Sequence, residues 1–410
     1  MRRPLRFRDF RLLFTGETIS VVGDYFHFVA LAWLTLQLTG SGLALGSVLM
    51  VAAIPRAVFM VVGGALSDRW SPRSLMLYSN AVRAVLVGII AALVLTGQIQ
   101  LWHLYLMAAA FGLVDALFYP AINSIVPMLV DEEALPPANA LLQGSQQLAG
   151  LIGPAIAGFV VALVQTGPAF VVDAVSFAVA ATALLFVVGG RRAPKPSGEA
   201  HSNVLASIRA GFGYAWSDPA VRALLLLSAA FNFAVTGPLL VGLPFLAEHG
   251  LHGGPAAFGV LLSAFGAGSV LGALAAGALP RVPRLGAVVL AIAAGLGVAM
   301  ALIGIAPNVP SAFGLLAGMG LGAGFINVHM ISWLQARTAE EMRGRVMSIV
   351  MLGSVGLTPF SYAVAGLVVD LGAVPVMFAT GGAILFGASL LGVAWGVAGR
   401  MTYAPVEVEA

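Results

Sequence analysis

Two aspartates lie deep inside apolar segments that are long enough to cross a membrane. Asp24 comes about a dozen residues into the first apolar run, which at about 1.5 Å per residue is roughly 18 Å deep, and Asp115 is similarly central in the fourth run. A charged side chain at such a depth costs about 2.5–3.5 kcal/mol even on the lenient insertion scale. Each carboxyl group therefore needs a cationic partner, a cavity or a function.

Two kinds of chemistry account for these carboxyl groups. Burial away from water favours the neutral form of a carboxyl group, so Asp24 or Asp115 could bind a proton on one side of the membrane and release it on the other. Alternatively, the aspartate stays ionised and pairs with Arg83 in the third apolar run, or with Arg56, which follows Pro55 in the second. Structural ion pairs also perturb protonation, so both interpretations stay open.

Four further polar residues lie within the apolar runs. Glu17 is in the first third of its run and Asp173 is in the outer third of the sixth, and both are interpreted as interfacial caps or members of ion pairs. His27 and His329 are either hydrogen-bonded packing residues or members of a proton relay. The candidates for proton coupling are Asp24, Asp115, Glu17, Arg83 and Arg56.

Aromatic side chains at similar depths form a second candidate group. Aromatic faces offer apolar area and cation–π contacts to bulky apolar or cationic compounds, although the same rings could equally pack or face lipid. Few polar groups accompany them, which argues against sugars, since these need many matched hydrogen bonds. The candidate cavity residues are Tyr25, Phe26, Phe118, Tyr119, Phe231, Phe265, Asn327 and His329.

The composition determines the class of elements that position these residues. The 410 residues are 60% hydrophobic and 9% charged, whereas a soluble domain carries about 25% charged residues. At about 20 residues per span, the chain has room for about twelve transmembrane helices and no sizeable soluble domain. The absence of cysteine excludes disulfides and thiolate metal sites.

Apolar runs between turn signals predict twelve helices. The first run is long and lacks a small-residue cleavage site, so it is interpreted as a retained helix rather than a cleaved signal. The predicted spans are 12–37, 42–66, 74–96, 101–128, 136–164, 168–190, 219–247, 256–279, 285–306, 310–335, 344–370 and 374–399.

Among the loops, only alternate ones carry basic residues, which predicts the orientation. Loops such as Thr39-Gly40-Ser41 and Thr96-Gly97-Gln98 contain no Lys or Arg. By the positive-inside rule the basic loops and both termini are cytoplasmic. Those loops contain, among others, Arg2, Arg3, Arg6, Arg8, Arg11, Arg69, Arg73, Arg191, Arg192, Lys195, Arg281, Arg284, Arg337, Arg343, Arg345 and Arg400.

The longest polar segment divides the chain in half. It predicts an N-terminal six-helix bundle over 1–190, a cytoplasmic central loop over 191–218 and a C-terminal six-helix bundle over 219–410. Apolar residues from Val204 to Trp216 have helical spacing, which fits either an amphipathic helix in the headgroup region or a short solvated helix. Weak similarity between the halves favours parallel repeats related by an axis along the membrane normal.

The turn after the second span carries the most recognisable motif. It runs from Gly64 through Ser67-Asp68-Arg69 to Arg73, with Ser71 where glycine is common. Together with the order of shorter matches, this stretch resembles the major facilitator superfamily, and more narrowly its macrolide-efflux-like and enterobactin-exporter-like drug exporters. The shorter matches are Ser20-Val21-Val22-Gly23-Asp24, Pro120-Ala121, Ala138-Asn139, Ser176-Phe177 and Gly344-Arg345-Val346.

The resemblance implies an all-α polytopic fold of twelve transmembrane helices in two pseudo-symmetric six-helix bundles, located in a bacterial cytoplasmic (inner) membrane. It also implies a cytoplasmic gate in which Asp68 caps the eleventh span and the arginines bridge to acidic residues. Alternatively, these arginines only determine the orientation in the membrane. The matching turn after the eighth span has no acidic residue. The gate residues would be Gly64, Asp68, Arg69, Arg73, Glu340 and Glu341.

The fifth span contains a loose glycine-proline pattern. It consists of Gly150, Gly153, Pro154 and Gly158, and resembles the motif associated with exporters in this superfamily. The alternative interpretation is ordinary helix packing, because glycines about one turn apart let neighbouring helices approach closely.

The sequence lacks the motifs of ATP-driven transport and of the common enzyme classes. It contains no Gly-Lys-Ser/Thr nucleotide loop, no metal-spaced cluster and no nucleophile elbow, so we expect no enzyme, no cofactor and no metal. The resemblance implies export and the drug class of substrate. Together with the absent ATP chemistry and the buried carboxyl groups, it predicts a transporter that exports amphiphilic or cationic drug-like compounds in exchange for protons by alternating access. The alternatives are a lipid or lysophospholipid flippase of the same fold and a non-transporting sensor or assembly factor.

The expected partners follow from this prediction. They are a small amphiphilic substrate, protons as the coupling ion and membrane lipids. The basic residues lie in short turns instead of forming one basic face, so no nucleic-acid partner is expected. The chain is expected to act as a monomer.

Overall fold

The computed structural model describes residues 3–401 apart from 68–69, 191–211, 214–215, 280–281, 283, 339–341, 344–345, 348, 351–352 and 354–355. Its main helices are α1 (Arg8–Thr39), α2 (Gly42–Ser67), α3 (Pro72–Leu95), α4 (Leu101–Leu129), α5 (Leu135–Val164), α6 (Thr166–Phe186), α7 (Pro219–Gly250), α8 (Gly254–Ala278), α9 (Leu285–Ile303), α10 (Val309–Arg337), α11 (Thr358–Asp370) and α12 (Val374–Ala394).

The predicted all-α membrane fold is confirmed. Within the described ranges there are no strands, and eleven helices are long and apolar enough to cross a membrane. The predicted span 344–370 falls partly on residues outside those ranges, and its described part is α11. Most of the predicted amphipathic segment in the central loop also lies outside the described residues.

Helix ends follow the turn signals of the sequence. The side chain of Ser71 accepts a hydrogen bond from the Ser74 N–H at the start of α3, and Asn308 accepts one from Ser311 at the start of α10. These side chains satisfy backbone donors that have no partner inside the helix. Gly40 ends α1 with a φ of 61°, a left-handed conformation that glycine adopts without strain.

The helices form two compact units. The first unit comprises Met1–Ser197 with Ala247–Ser263, and the second comprises Gly198–Leu246 with Ala264–Ala410. Helix α1 is central in the first unit. It packs so closely against α6 that a β-carbon at Gly23 would lie 2.7 Å from the Ser176 β-carbon. Small residues thus bring the backbones of α1 and α6 together, as in other membrane helix pairs.

Helix α7 departs from regular α geometry in its second half. Two π-helical turns occur, at Pro238–Gly242 and Leu246–Gly250. Ser361 of α11 donates a hydrogen bond to the Phe233 carbonyl at 2.6 Å and accepts one from the Gly237 N–H at 2.8 Å. The helix therefore continues past Pro238 and Pro244, because altered turns and a neighbouring hydroxyl satisfy backbone groups that proline disturbs.

The glycine-proline pattern of α5 is a site of close helix contact within the first unit. A β-carbon at Gly158 would collide with the Pro255 carbonyl oxygen, and one at Gly259 would collide with the Pro154 carbonyl oxygen. The Ala155 N–H donates a hydrogen bond of 2.9 Å to the Ser263 hydroxyl. Glycine at 158 and 259 is therefore a geometric requirement for this crossing of α5 with the start of α8.

We expect Gly158→Ala to destabilise the protein, since overpacking a close contact typically costs about 1–3 kcal/mol. Gly144→Ala on the same helix is the matched control, because nothing lies within 4 Å of the position of its added β-carbon. Thermal unfolding of the purified protein in detergent measures both. Equal melting temperatures for the two variants would show that the crossing is not tight.

Candidate functional site

Helix α1 carries a line of polar side chains along the first unit. Glu17, Ser20, Asp24 and His27 follow one another at intervals of three or four residues, which places them on one helix face. Glu17, Ser20 and His27 are buried, whereas Asp24 is exposed. The spacing alone predicts the line, and the contacts of α3, α4 and α6 determine what each member meets.

Asp115 of α4 bridges two arginines. Its carboxylate accepts a hydrogen bond from Arg83 of α3 and lies 3.3 Å from the Arg56 Nη2 of α2. The Arg83 side chain is only 5% exposed and that of Asp115 15%. One carboxylate thus connects three helices through charge-assisted contacts.

Three aromatic rings surround the Arg83 guanidinium. Its central carbon lies 4.5 Å from the centroid of Phe118, 5.5 Å from that of Phe177 and 5.6 Å from that of Phe111. The negative faces of aromatic rings attract a cation, and more strongly where water is excluded. Phe118, a candidate cavity residue, is 8% exposed and packs against the Arg83 guanidinium.

His27 and Asp173 form a second buried pair, between α1 and α6. The His27 Nδ1 lies 3.0 Å from the Asp173 Oδ2, and Asp173 is fully buried. The Ser176 hydroxyl donates to the Asp173 carbonyl at 2.8 Å. The His27 ring stacks on Phe111 at 4.9 Å and meets Phe170 edge-on at 5.6 Å. The sequence marks each residue as a polar group within a span, but nothing in it predicts that His27 and Asp173 pair.

Asp24 is the exposed acid of this cluster, whereas Glu17 and Asp173 are buried and Asp115 is partly buried. Asp24 forms no hydrogen bond or salt bridge with any residue that the structure describes. The adjacent Tyr25 lies over the glycines of α5, since β-carbons at Gly150 and Gly153 would each lie 2.8 Å from its side chain. Tyr25 thereby holds this turn of α1 against α5 and leaves the Asp24 carboxyl accessible.

The charges of this cluster do not balance. Its four carboxyl groups, those of Glu17, Asp24, Asp115 and Asp173, share two guanidinium groups and one imidazole. Asp115 contacts both arginines and Asp173 contacts His27, whereas neither Asp24 nor Glu17 forms an ion pair with a residue that the structure describes. Of these two unpaired acids, Asp24 is exposed and Glu17 is buried.

The second unit contains an apolar cavity of about 530 Å³. Helices α7 to α10, α12 and the segment before α11 all contribute lining residues. Volumes of this order hold drug-sized ligands. Its aromatic and polar lining residues are Phe231, Phe265, Ser228, Asn232, Ser269 and Asn327.

The amides of this cavity are available to a ligand. The Asn232 Nδ2 donates to the carbonyl of Ser228 on its own helix at 2.9 Å, which leaves its side-chain oxygen as an acceptor. Asn327 is exposed and makes no hydrogen bond with the part of the chain that the structure describes. The site thus offers a few neutral hydrogen-bonding groups within an apolar surface.

The remaining candidate cavity residues lie elsewhere. His329 is buried and packs on Phe325 with ring centroids 4.5 Å apart, and it does not line the cavity of the second unit. In the first unit Phe26 is buried, whereas Tyr119 is exposed one turn after Asp115. Hydropathy does not separate these positions, because helix rotation determines which face each residue occupies.

Most residues of the predicted cytoplasmic gate lie outside the part of the chain that the structure describes. Asp68, Arg69, Glu340 and Glu341 are among the residues that the structure does not describe, and Gly64 lies within α2. Arg73 is described: it donates to the Leu184 carbonyl at 2.8 Å and to the Leu185 carbonyl at 2.9 Å. Carbonyls at a helix C-terminus lack partners and favour a cation, so Arg73 caps α6.

Within each unit, an ion pair joins the start of the first helix to the end of the fourth. Arg3, before α1, lies 2.7 Å from Asp131, after α4, and also pairs with Glu133. The Arg3 guanidinium holds the pKa of the Asp131 carboxyl below its usual value. In the second unit Arg337, at the end of α10, lies 2.7 Å from Asp218, before α7. The arrangement repeats with the signs of charge exchanged, a feature that the sequence reasoning missed.

We expect Asp115→Asn to be strongly destabilising, because it leaves the buried Arg83 without its carboxylate, and breaking a buried pair in this way costs about 3–5 kcal/mol. The isosteric control Asp24→Asn removes an exposed, unpaired carboxyl and is expected to change stability by less than about 0.5 kcal/mol. Thermal unfolding in detergent compares the two. Similar stability for both variants would contradict the assignment of Asp115 as the structural anion.

Three proteins to which the chain is similar are named as efflux or export proteins. The chain is 22% identical over 347 residues to macrolide efflux protein A of Streptococcus pyogenes, covering 83% of this chain and 84% of the relative. It is 27% identical over 368 residues to the multidrug efflux pump Tap of Mycolicibacterium fortuitum, covering 88% of each. It is 26% identical over 338 residues to the enterobactin exporter EntS of Citrobacter koseri, covering 82% and 79%.

A solved structure supports the same fold. A mutant of the nucleoside transporter NupG superposes with a TM-score of 0.78 over 95% of this chain and 99% of that one, at 13% sequence identity. The family model described as transmembrane secretion effector matches residues 2–401. With helices, fold and relatives in agreement, the chain belongs to this family of major facilitator superfamily transporters.

Proposed function

We propose that the protein is a secondary active exporter that moves amphiphilic or cationic drug-like compounds out of the cell in exchange for protons. The observation that carries the proposal is the carboxyl group of Asp24, which is exposed and lacks a cation in a cluster with more acids than arginines. The names of the relatives support drug export, since three of them are macrolide, multidrug and enterobactin exporters.

Asp24 is the proposed proton carrier and Asp115 the structural anion. Asp115 already accepts from Arg83 and faces Arg56, so its charge is neutralised without a proton. Protonation of Asp24 would bring the cluster closer to neutrality, and deprotonation would restore a single negative charge there. A site with these two states can bias an alternating-access equilibrium according to which side supplies protons.

Export by purified protein in liposomes, with an imposed pH gradient, tests the coupling. Erythromycin and ethidium are the probes, as a macrolide and a cationic dye. We expect gradient-driven flux for wild type, and for Asp24→Asn only the flux seen without a gradient, because the amide cannot bind a proton. Asp24→Glu keeps a titratable group and is expected to retain most of the gradient-driven flux.

The control substitution is Glu17→Gln, which removes a different carboxyl of the same helix. Full coupling in Asp24→Asn with loss in Glu17→Gln would move the proton to Glu17. If both variants keep gradient-driven flux, proton exchange at this cluster is overturned. Transport of labelled lysophospholipid, with no flux of either drug probe, would favour the flippase alternative.

We also propose that both termini are cytoplasmic in a bacterial inner membrane, on the basis of the basic loops and the bacterial relatives. Because the chain lacks cysteine, single cysteines report sidedness without background. Gln98→Cys, in the exposed loop after α3, is expected to react with a membrane-impermeant maleimide in intact cells. Glu132→Cys, in the exposed turn after α4, is expected to react only after permeabilisation, and the reverse pattern would invert the topology.

A further inference from the structure

The two units differ sharply in buried charge. The first contains the cluster of four carboxyl groups, two arginines and His27. None of the described residues that line the cavity of the second unit carries an ionisable group. A cation placed in such a cavity would lose its hydration without gaining a counter-charge, which is unfavourable. The cavity is therefore chemically suited to an uncharged apolar group.

The lining residues suit ligands of variable shape. Met330 and Met347 are flexible and polarisable, and Phe231 and Phe265 supply aromatic faces. Methionine-rich surfaces repack around different ligands and are frequent in promiscuous binding sites. Asn327 supplies neutral hydrogen-bonding atoms to a ligand that carries a carbonyl or hydroxyl group.

The cavity lies toward one end of its helices. Leu224 is five residues from the start of α7 and Leu334 is three residues from the end of α10, whereas Phe231 is twelve residues into α7. At about 1.5 Å per residue the cavity extends from near these ends to roughly 18 Å along the helix. In the proposed topology these ends are cytoplasmic, which is the side from which an exporter loads its substrate.

We propose that this cavity is the substrate-loading site and that it binds the uncharged apolar body of the substrate, while proton binding is confined to the first unit. This inference rests on the proposed export function and specifies the part of the substrate that is recognised there. A cationic substituent of a substrate would stay outside the cavity, where water solvates it.

Cysteine protection tests the charge preference directly. Ser269→Cys is nearly isosteric and places a single thiol in the lining of a chain that otherwise has none. Neutral triphenylphosphine oxide is expected to slow its reaction with N-ethylmaleimide at concentrations at which the similarly shaped cation tetraphenylphosphonium has little effect. Gln98→Cys, in an exposed loop, is the control and should react equally fast with either compound present.

Better protection by tetraphenylphosphonium than by triphenylphosphine oxide would overturn the proposal, as would protection by neither compound. Asn327→Asp, in the Ser269→Cys background, adds a carboxylate to the lining. It is expected to shift protection toward the cation, and an unchanged preference would count against the cavity as the site of binding.

A second measurement separates the two units. Ala293→Phe fills the cavity, and Ala291→Phe places the same ring on an exposed face of α9 that does not line it. Equilibrium binding of radiolabelled erythromycin is expected to weaken by at least about tenfold in Ala293→Phe, as the bulk displaces the ligand, and to be unchanged in Ala291→Phe. Asp24→Asn lies outside the cavity and is expected to keep saturable macrolide binding, with its affinity changed only through the coupling between the two units.

The outcomes distinguish this inference from the proposed function. Proton-driven export of erythromycin by wild type, combined with normal binding in Ala293→Phe, would overturn the cavity assignment alone. Loss of binding in Asp24→Asn as complete as in Ala293→Phe would overturn the division between units. Probe binding in the cavity without gradient-driven export would overturn the coupling and leave the binding site in place.

Discussion

Charges inside a membrane protein must be neutralised by groups close to them, and the first unit is organised by this constraint. Arg83 has Asp115 at its guanidinium and three phenyl rings around it, and Asp173 has His27. These contacts connect α1, α3, α4 and α6, so the helices cannot shift relative to one another without separating charges in a medium of low dielectric constant. Charge pairing thus fixes the geometry that leaves Asp24 as the accessible acid.

Small residues make these contacts possible. A carboxyl or imidazole side chain is short compared with the usual distance between helix axes, so partners on adjacent helices meet only where the backbones approach. Gly23 provides that approach between α1 and α6, next to the His27–Asp173 pair. In the second unit Gly297 and Gly382 bring α9 and α12 together in the same way. Glycine is abundant here because packing, not burial from water, holds membrane helices together.

The helices were largely predictable from the sequence, since a bilayer imposes both the length and the composition of each span. Most ends agree within about four residues. Helix α7 is instructive, because its prolines would end a soluble helix, yet it continues to Gly250 through two π-helical turns. Just before the first of these turns, the Ser361 hydroxyl of a distant helix bonds the Phe233 carbonyl and the Gly237 N–H, a contact that no local pattern encodes.

The candidate site was predictable residue by residue but not as an arrangement. Ionisable residues are so rare in the spans that Asp24, Asp115, Arg56 and Arg83 could be named from the sequence. Which aspartate meets the arginines depends on helix rotation, and a rotation of one residue is about 100°. The same limit applies to Phe231, which lines a cavity, and Phe118, which stacks on an arginine.

A proton carrier in one unit and a substrate cavity in the other need no direct contact to be coupled. Coupling requires only that each ligand prefer one of the same two conformations, so that binding of one shifts the equilibrium seen by the other. An inward proton contributes about 2.3 kcal/mol per 100 mV of membrane potential, which is within the range of about 1–3 kcal/mol typical of coupling between sites. Transport would then depend on conformational preference rather than on recognition of a particular charge, and this allows one exporter to move compounds that share only an apolar body.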